Sequence, residues 1–489
     1  MRHNSNISKY YIKGANRSNI NSQGGFFLKN GLLLESDFTP YFWVGDNYRG
    51  LFWFCESPQN WPNAQKPTAI QILEQENEVV QKFDLGAVNF YQFGIQATPV
   101  KPLPHNWRNL RFSPAVNSNI VILWPQPGNP SSTRYFGWPE AVNDDNYANL
   151  IKKYHQNNKF VLSYATITTL PSLLPIYQEN KINWIEGKKA MRVKTDSLIF
   201  IEPNSKNYKE TISQQLPYFL RKYDLDGYYL DLTKSYPYLS NNQKYYPILG
   251  YRELQKRLYD SVKSKNPDAL IIGHMSGNMV IPVLSFVDAY IDGEQFSVAN
   301  EPGTANNSKK AYQVKESYLD VINLDQFRAE FIGKQWGIIP FFLPEFDSVN
   351  RTTEQPTLGL TSLLLVHDVQ PWPIWSNISV WNKMYEALDS FGFKNSTFIP
   401  YYDSNPPALA KNLKDVYISA YKKTDEALII VSNLSKNKIS GTVTLNCPAL
   451  GLKKISSLYS FSDNAKANFN ENTISVNLNP SSYQLFWVK

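Results

Sequence analysis

Only two cysteines occur in 489 residues, Cys55 and Cys447, and they stand far apart. Neither a disulfide framework nor a Cys/His zinc cluster is therefore expected. The five histidines show no HxH or HExxH spacing, so no metal is expected either. No Gly-x-Ser-x-Gly elbow is present, which argues against a serine hydrolase. No apolar run approaches the length of a membrane span. The net charge of +7 is modest for this length, and no Lys/Arg run of the kind that tracks phosphates appears. A nucleic-acid partner is not expected, although a basic balance would suit an anionic polysaccharide. No cofactor is expected. Residues 1–22 are polar and Asn-rich, without an apolar h-region. The expected location is periplasmic or secreted if a signal peptide has been removed, and cytoplasmic otherwise.

What is present is a globular composition, 42% hydrophobic and 19% charged, on a chain long enough for two to four domains. Aromatic residues reach 14%, with 12 Trp and 31 Tyr. Most aromatics in any chain are core, but clefts that bind sugars use aromatic faces as platforms for pyranose rings.

From about Gly24 to Gln96, short alternating runs such as Phe52–Phe54 and Glu78–Phe83 are broken by Gly, Pro and Asn clusters, a β pattern. Residues 1–97 are expected to form an N-terminal β-sandwich. The stretch Thr98–Pro104 carries three prolines and reads as a stiff boundary. Apolar runs then alternate with helix-like stretches. The strand candidates are Ile120–Trp124, Phe160–Tyr164, Leu198–Ile201, Tyr228–Leu230, Leu270–Gly273, Ala289–Ile291, Gly337–Phe342 and Ser362–Val366. Helices are expected at Tyr147–Gln156, Lys209–Lys222, Arg252–Ser264 and Leu319–Gly333. This order predicts an α/β (β/α)8 TIM-type barrel over 105–410, close to the usual size of about 250 residues. A doubly wound open sheet is the rival, and it lacks the Gly-rich phosphate-binding turn after the first strand. Beyond Asp415, short strands such as Ala427–Asn433 predict a C-terminal β-sandwich over 415–489.

In a parallel barrel the catalytic groups gather at the C-terminal strand ends, because the loops there form the open mouth. The residues at those ends are Trp124, Tyr164, Glu202, Asp231, His274 with Ser276, Asp292-Gly-Glu294, Glu345, and His367-Asp368. Carboxylates, imidazoles and rings around one mouth suit glycoside cleavage, which needs one protonated acid and one ionised base or nucleophile. Asp231 and Glu294 are the expected pair. Asp292 competes with Glu294, since residues two apart on an extended segment point the same way. Trp124, Tyr164, His274, Glu345, His367 and Asp368 are expected to contact a carbohydrate substrate. Each carboxylate and histidine has a plainer alternative as a loop brace, and Arg328 reads as a structural helix residue.

The segments Gly50–Glu56, Gln96–Pro102, Gly273–Asn278, Asp288–Phe296, Arg328–Gly333 and Gln335–Gly337 resemble bacterial proteins classed as glycoside hydrolase family 123-like. The resemblance covers most of 45–370. It implies a β-sandwich, a catalytic barrel and a C-terminal β domain, with action on glycans. Family 123 proper uses an adjacent Asp-Glu pair after the fourth strand, with the substrate's acetamido group as nucleophile. Here Leu232 and Thr233 come directly after Asp231, so that pair is missing. The layout is more similar to retaining α-galactosidase-like barrels, in which the Asp after the fourth strand is the nucleophile. The implied activity is that of a retaining glycosidase acting on a galacto-configured or anionic glycan. The same carboxylates would also serve an inverting enzyme, and a non-catalytic carbohydrate-binding protein is the alternative of another class.

Overall fold

The computed structural model describes residues 2–4, 10–14, 31–75, 78–126, 128–193, 196–240, 243–275, 279–293, 296, 317–322, 324–410 and 412–489. The chain divides into two compact units. One comprises Met1–Leu103, Asn119–Gln295 and Leu324–Pro340, and the other Pro104–Ser118, Phe296–Asn323 and Phe341–Lys489.

The first unit begins with two four-stranded β-sheets. One pairs Gly31–Ser36, Ile70–Gln75, Glu78–Phe83 and Arg2–Asn4. The other pairs Tyr10–Gly14, Tyr41–Gly45, Gly50–Phe54 and Gly94–Thr98. Phe42 and Trp53 of the second sheet share one apolar core with Ile70 and Ile72 of the first, as alternating side chains on facing sheets should.

Next in this unit come parallel strands in the order Ile120–Leu123, Phe160–Thr166, Gly227–Asp231, Leu270–His274 and Ala289–Asp292, each hydrogen-bonded to the next. Every residue of the last three strands is buried, which is why they read as unbroken apolar runs. Helices Asp144–His155, Tyr208–Lys222 and Ile248–Lys265 intervene. The Asn143 side chain caps the first of them by accepting from the Asn146 N–H. At the far side, the Ile339 N–H donates to the Asp288 carbonyl at 3.2 Å.

Two expected strands are corrected. Leu198–Ile201 belongs to the strand Asp196–Ile201, which pairs antiparallel with Thr169–Pro171 and Glu186–Val193 in a separate three-stranded sheet. Ser362–Val366 is not extended; it is the end of helix Glu354–Leu365, whose side chains from Gly359 to Leu365 are all buried. A helix buried on every side has no polar stripe, so its sequence shows no 3.6-residue period. The expected helix Leu319–Gly333 is a 3-10 turn at Tyr318–Asp320 and a helix at Leu324–Phe331, on which Arg328 pairs with Asp325.

In the second unit, Phe341 and Phe342 pair in parallel with Gln370 and Pro371, beside helices Glu354–Leu365 and Ile378–Phe391. Its C-terminal part has a six-stranded and a four-stranded sheet. Ile429, Val431 and Phe486 of the former share a core with Val443, Ile474 and Val476 of the latter.

Candidate active site

The site in the first unit is built on three adjacent parallel strands. Pairing sets Tyr164 opposite Tyr229 and Thr166 opposite Asp231, while Gly273 lies opposite Leu230. The alternation of the Gly227–Asp231 strand sends Tyr229 and Asp231 to one face. Tyr228 turns the other way and donates to the Leu216 carbonyl at 2.5 Å. Just past the strand, Leu232 adopts a left-handed conformation with φ of 57°, and the chain turns sharply at the carboxylate.

Asp231 is buried, and each of its oxygens is engaged. The Tyr164 hydroxyl donates to Oδ2 at 2.5 Å. Oδ1 lies 2.9 Å from Nδ1 of His274 and accepts the Leu232 N–H at 2.7 Å. Burial by itself pushes the Asp231 carboxyl up. The hydrogen bond and charge of His274, with the donors from Tyr164 and Leu232, outweigh it and hold the group below the usual carboxylate range. The result is a buried, ionised carboxylate at the end of a strand.

His274 is the hinge of the arrangement. Its Nδ1 faces Asp231, and its Nε2 lies 4.0 Å from Oδ1 of Asp292. Asp292 is fully buried, and its Oδ1 accepts the Gly293 N–H at 2.9 Å. Asp231, His274 and Asp292 thus form a row across neighbouring strands. Glu294 and Ser276 lie outside the described residues.

Aromatic rings line the same strand ends. Trp124 is half-buried with its ring 4.6 Å from that of Tyr164 and 6.2 Å from that of Tyr229. Phe136 stands edge-on to Tyr164 at 4.9 Å. Tyr229 and Phe136 escape a sequence reading that takes only the final residue of each strand. The alternation that puts Tyr229 two places before Asp231 was the available signal.

The structure brings Trp124, Tyr164, Asp231, His274 and Asp292 together. Glu202 has another setting: it is buried, accepts from Asn204 at 3.0 Å and from the Tyr245 hydroxyl, and stands at the end of an antiparallel strand.

Three expected residues belong to the second unit. Glu345 is buried and its N–H donates to the Tyr318 hydroxyl at 2.7 Å. His367 has Nδ1 2.7 Å from the Leu363 carbonyl and Nε2 3.1 Å from the Tyr401 hydroxyl. Asp368 is corrected from substrate contact to brace. Arg108 grips both its oxygens, with Nε at 3.0 and 3.1 Å, and the Tyr421 hydroxyl donates to it at 2.8 Å. Both His367 and Asp368 come after a helix rather than a strand, so the strand-end argument for them falls away.

Among the described residues, no group of three or more His, Cys, Asp or Glu side chains is placed to hold a metal. None of the described helices is long and apolar enough to cross a membrane.

Residues 377–478 match the family described as glycoside hydrolase 123, C-terminal domain. The match is confined to this C-terminal stretch of the chain. The resemblance read from the sequence is borne out by it, and with it the assignment to the glycosidases. No curated protein matches the chain. Among solved structures, an α-amylase from Lactobacillus plantarum aligns over 78% of this chain and 100% of its own, with a TM-score of 0.52 and 10% identity. An α-amylase from Geobacillus thermoleovorans, complexed with acarbose, aligns over 76% and 88%, with a TM-score of 0.50 and 13% identity. At such identities the likeness is one of fold: a parallel sheet with helices, accompanied by β-rich domains.

Proposed function

We propose that this glycosidase is a retaining enzyme, with Asp231 as nucleophile and Glu294 or Asp292 as acid/base. The observation that carries the reading is the state of Asp231. His274 and Tyr164 hold it ionised at the end of a parallel strand, near the half-buried ring of Trp124. A carboxylate so held can attack an anomeric carbon, and the two donors keep it aimed and stabilise it again when the glycosyl group leaves. Asp292 is fully buried beside His274, a place better suited to tuning the imidazole than to meeting a leaving oxygen. Glu294, two residues on, is therefore the favoured acid/base.

The proposed architecture is a (β/α)8 barrel over 105–410, flanked by β-sandwich domains at 1–97 and 415–489. The parallel strands of the first unit, the parallel pair of the second and the fold likeness to α-amylases support it. The half-buried Trp124 is proposed as the sugar platform, while the fully buried Tyr164 serves Asp231 through its hydroxyl. A galacto-configured or anionic glycan is the proposed substrate, by analogy with the family and by the net charge. The test is a screen of aryl glycosides and polysaccharides with the intact chain and Asp231→Asn, read by product analysis. Activity that the variant lacks supports the reading; equal activity in both overturns it.

A further inference from the structure

A cavity lies in the β-rich N-terminal part of the first unit, and none of the strand-end site residues lines it. It measures about 440 Å³, within the roughly 300–1,000 Å³ range of ligand sites. Its walls are aromatic and its free polar groups are uncharged. Phe90 is 66% exposed and Phe93 49%, which is costly for large apolar rings unless something covers them. Phe93 is held in place by Trp53 and Tyr91, at 6.4 and 6.3 Å between ring centres. Tyr91 is fixed in turn by its hydroxyl bond to the Cys55 sulfur at 2.8 Å, while the thiol donates to the Gln92 carbonyl at 3.2 Å. Phe54 also lines the cavity, its ring packed so closely on Gly94 that a Cβ there would sit 2.1 Å from the ring.

The exposed amides of Gln59, Asn60 and Gln92 line the cavity. Each offers two donors and an acceptor. Among the described residues no lysine or arginine lines it, and the one carboxylate there, Glu56, already accepts the Leu249 N–H at 2.7 Å. An anionic sugar would meet a like charge with no cation to offset it. A neutral pyranose presents apolar C–H faces to the rings and hydroxyls to the amides.

We propose that this cavity is a non-catalytic binding site for neutral pyranosyl units of a glycan chain, with Phe90 and Phe93 as its platform. The proposal rests on the glycosidase reading for its ligand class, and it commits this cavity to uncharged sugars whatever the strand-end site accepts.

The test uses the full chain in native gels containing galactan, mannan, amylose, cellulose derivatives without charge, or polygalacturonate. Retardation by at least one neutral polymer, reduced about tenfold in Phe90→Ala/Phe93→Ala and kept in Phe93→Tyr, is the expected result. Hydrolysis of small aryl glycosides should be the same in wild type and double variant. Equal retardation of wild type and double variant, retardation by polygalacturonate alone, or no retardation by any gel overturns the proposal. Retardation that depends on Phe90 and Phe93 in a protein that cleaves no glycoside upholds this site and counts against the catalytic reading instead.

Discussion

Tyr164 donates its hydroxyl hydrogen to Oδ2 of Asp231 at 2.5 Å, from the strand directly beside it. The register pairing Tyr164 with Tyr229 sets this contact, so the sheet itself aims the donor at the carboxylate. The imidazole of His274 on Oδ1 and the Tyr164 hydroxyl on Oδ2 explain how a buried Asp stays charged.

Removing that donor should therefore weaken the site without dismantling it. Tyr164→Phe keeps the ring against Trp124 and deletes one charge-assisted hydrogen bond, a loss of about 1.5–3 kcal/mol. If Asp231 is the nucleophile, turnover should fall roughly ten- to hundredfold, with circular dichroism unchanged. Turnover equal to wild type would show that the bond does not serve the chemistry.

Acid should act through the same carboxylate. The folded-state pKa of Asp231 is depressed, so the group contributes stability above its unfolded value of about 3.9. That contribution is lost as pH falls through the lower folded value. Asp231→Asn should flatten the acid limb of a denaturation curve measured between about pH 5 and pH 2. A limb identical to wild type would mean that His274, Tyr164 and the Leu232 N–H do not hold the charge.

Between the two acid/base candidates, leaving groups decide. Glu294→Gln should slow cleavage strongly for poor leaving groups and little for activated aryl ones, which need scant proton donation. Asp292→Asn should instead lower activity for both alike, since Asp292 borders His274 rather than an open face. The reverse pattern would reassign the acid.

The N-terminal β region should prove inseparable from the rest of its unit. Trp43 and Trp336 are both fully buried, with ring centres 4.4 Å apart. The Val100 N–H donates to the Trp336 carbonyl at 2.9 Å, and Gln96 reaches Ser285 at 2.7 Å. A chain starting near Leu103 would lay Trp336 bare, and insolubility or a large loss of stability is expected. Gly337→Ala probes the same junction more gently. Its φ is 72°, and a Cβ would fall 1.7 Å from the Lys101 carbonyl oxygen, so a loss of about 2–4 kcal/mol should appear in urea unfolding. A soluble chain from Leu103 with wild-type activity would contradict this.

Much of the fold was legible in the residues because physics marks buried parallel strands plainly. Tyr228–Leu230 and Leu270–Gly273 are continuous apolar runs between helical patterns, and both lie in the observed sheet. Asp231 and His274 stand out as the polar residues that close such runs. The same criterion misleads at Ile201, where an equally apolar run pairs antiparallel in another sheet. It misleads again at Val366, where a leucine-rich helix buried all round mimics a strand. Local pattern does not carry pairing partners or the salt bridge from Arg108 to Asp368, which joins residues 260 positions apart.

The most direct measurement is of the bond that Asp231 should form. The protein is incubated with activated 2-deoxy-2-fluoro glycosides matched to whichever aryl glycoside it hydrolyses, then digested and weighed by mass spectrometry. The account predicts one added fluoroglycosyl group, carried by the peptide containing Asp231 and absent from Asp231→Asn. A protein that hydrolyses the parent glycoside with inversion, or that carries the adduct on any other carboxylate, would contradict it.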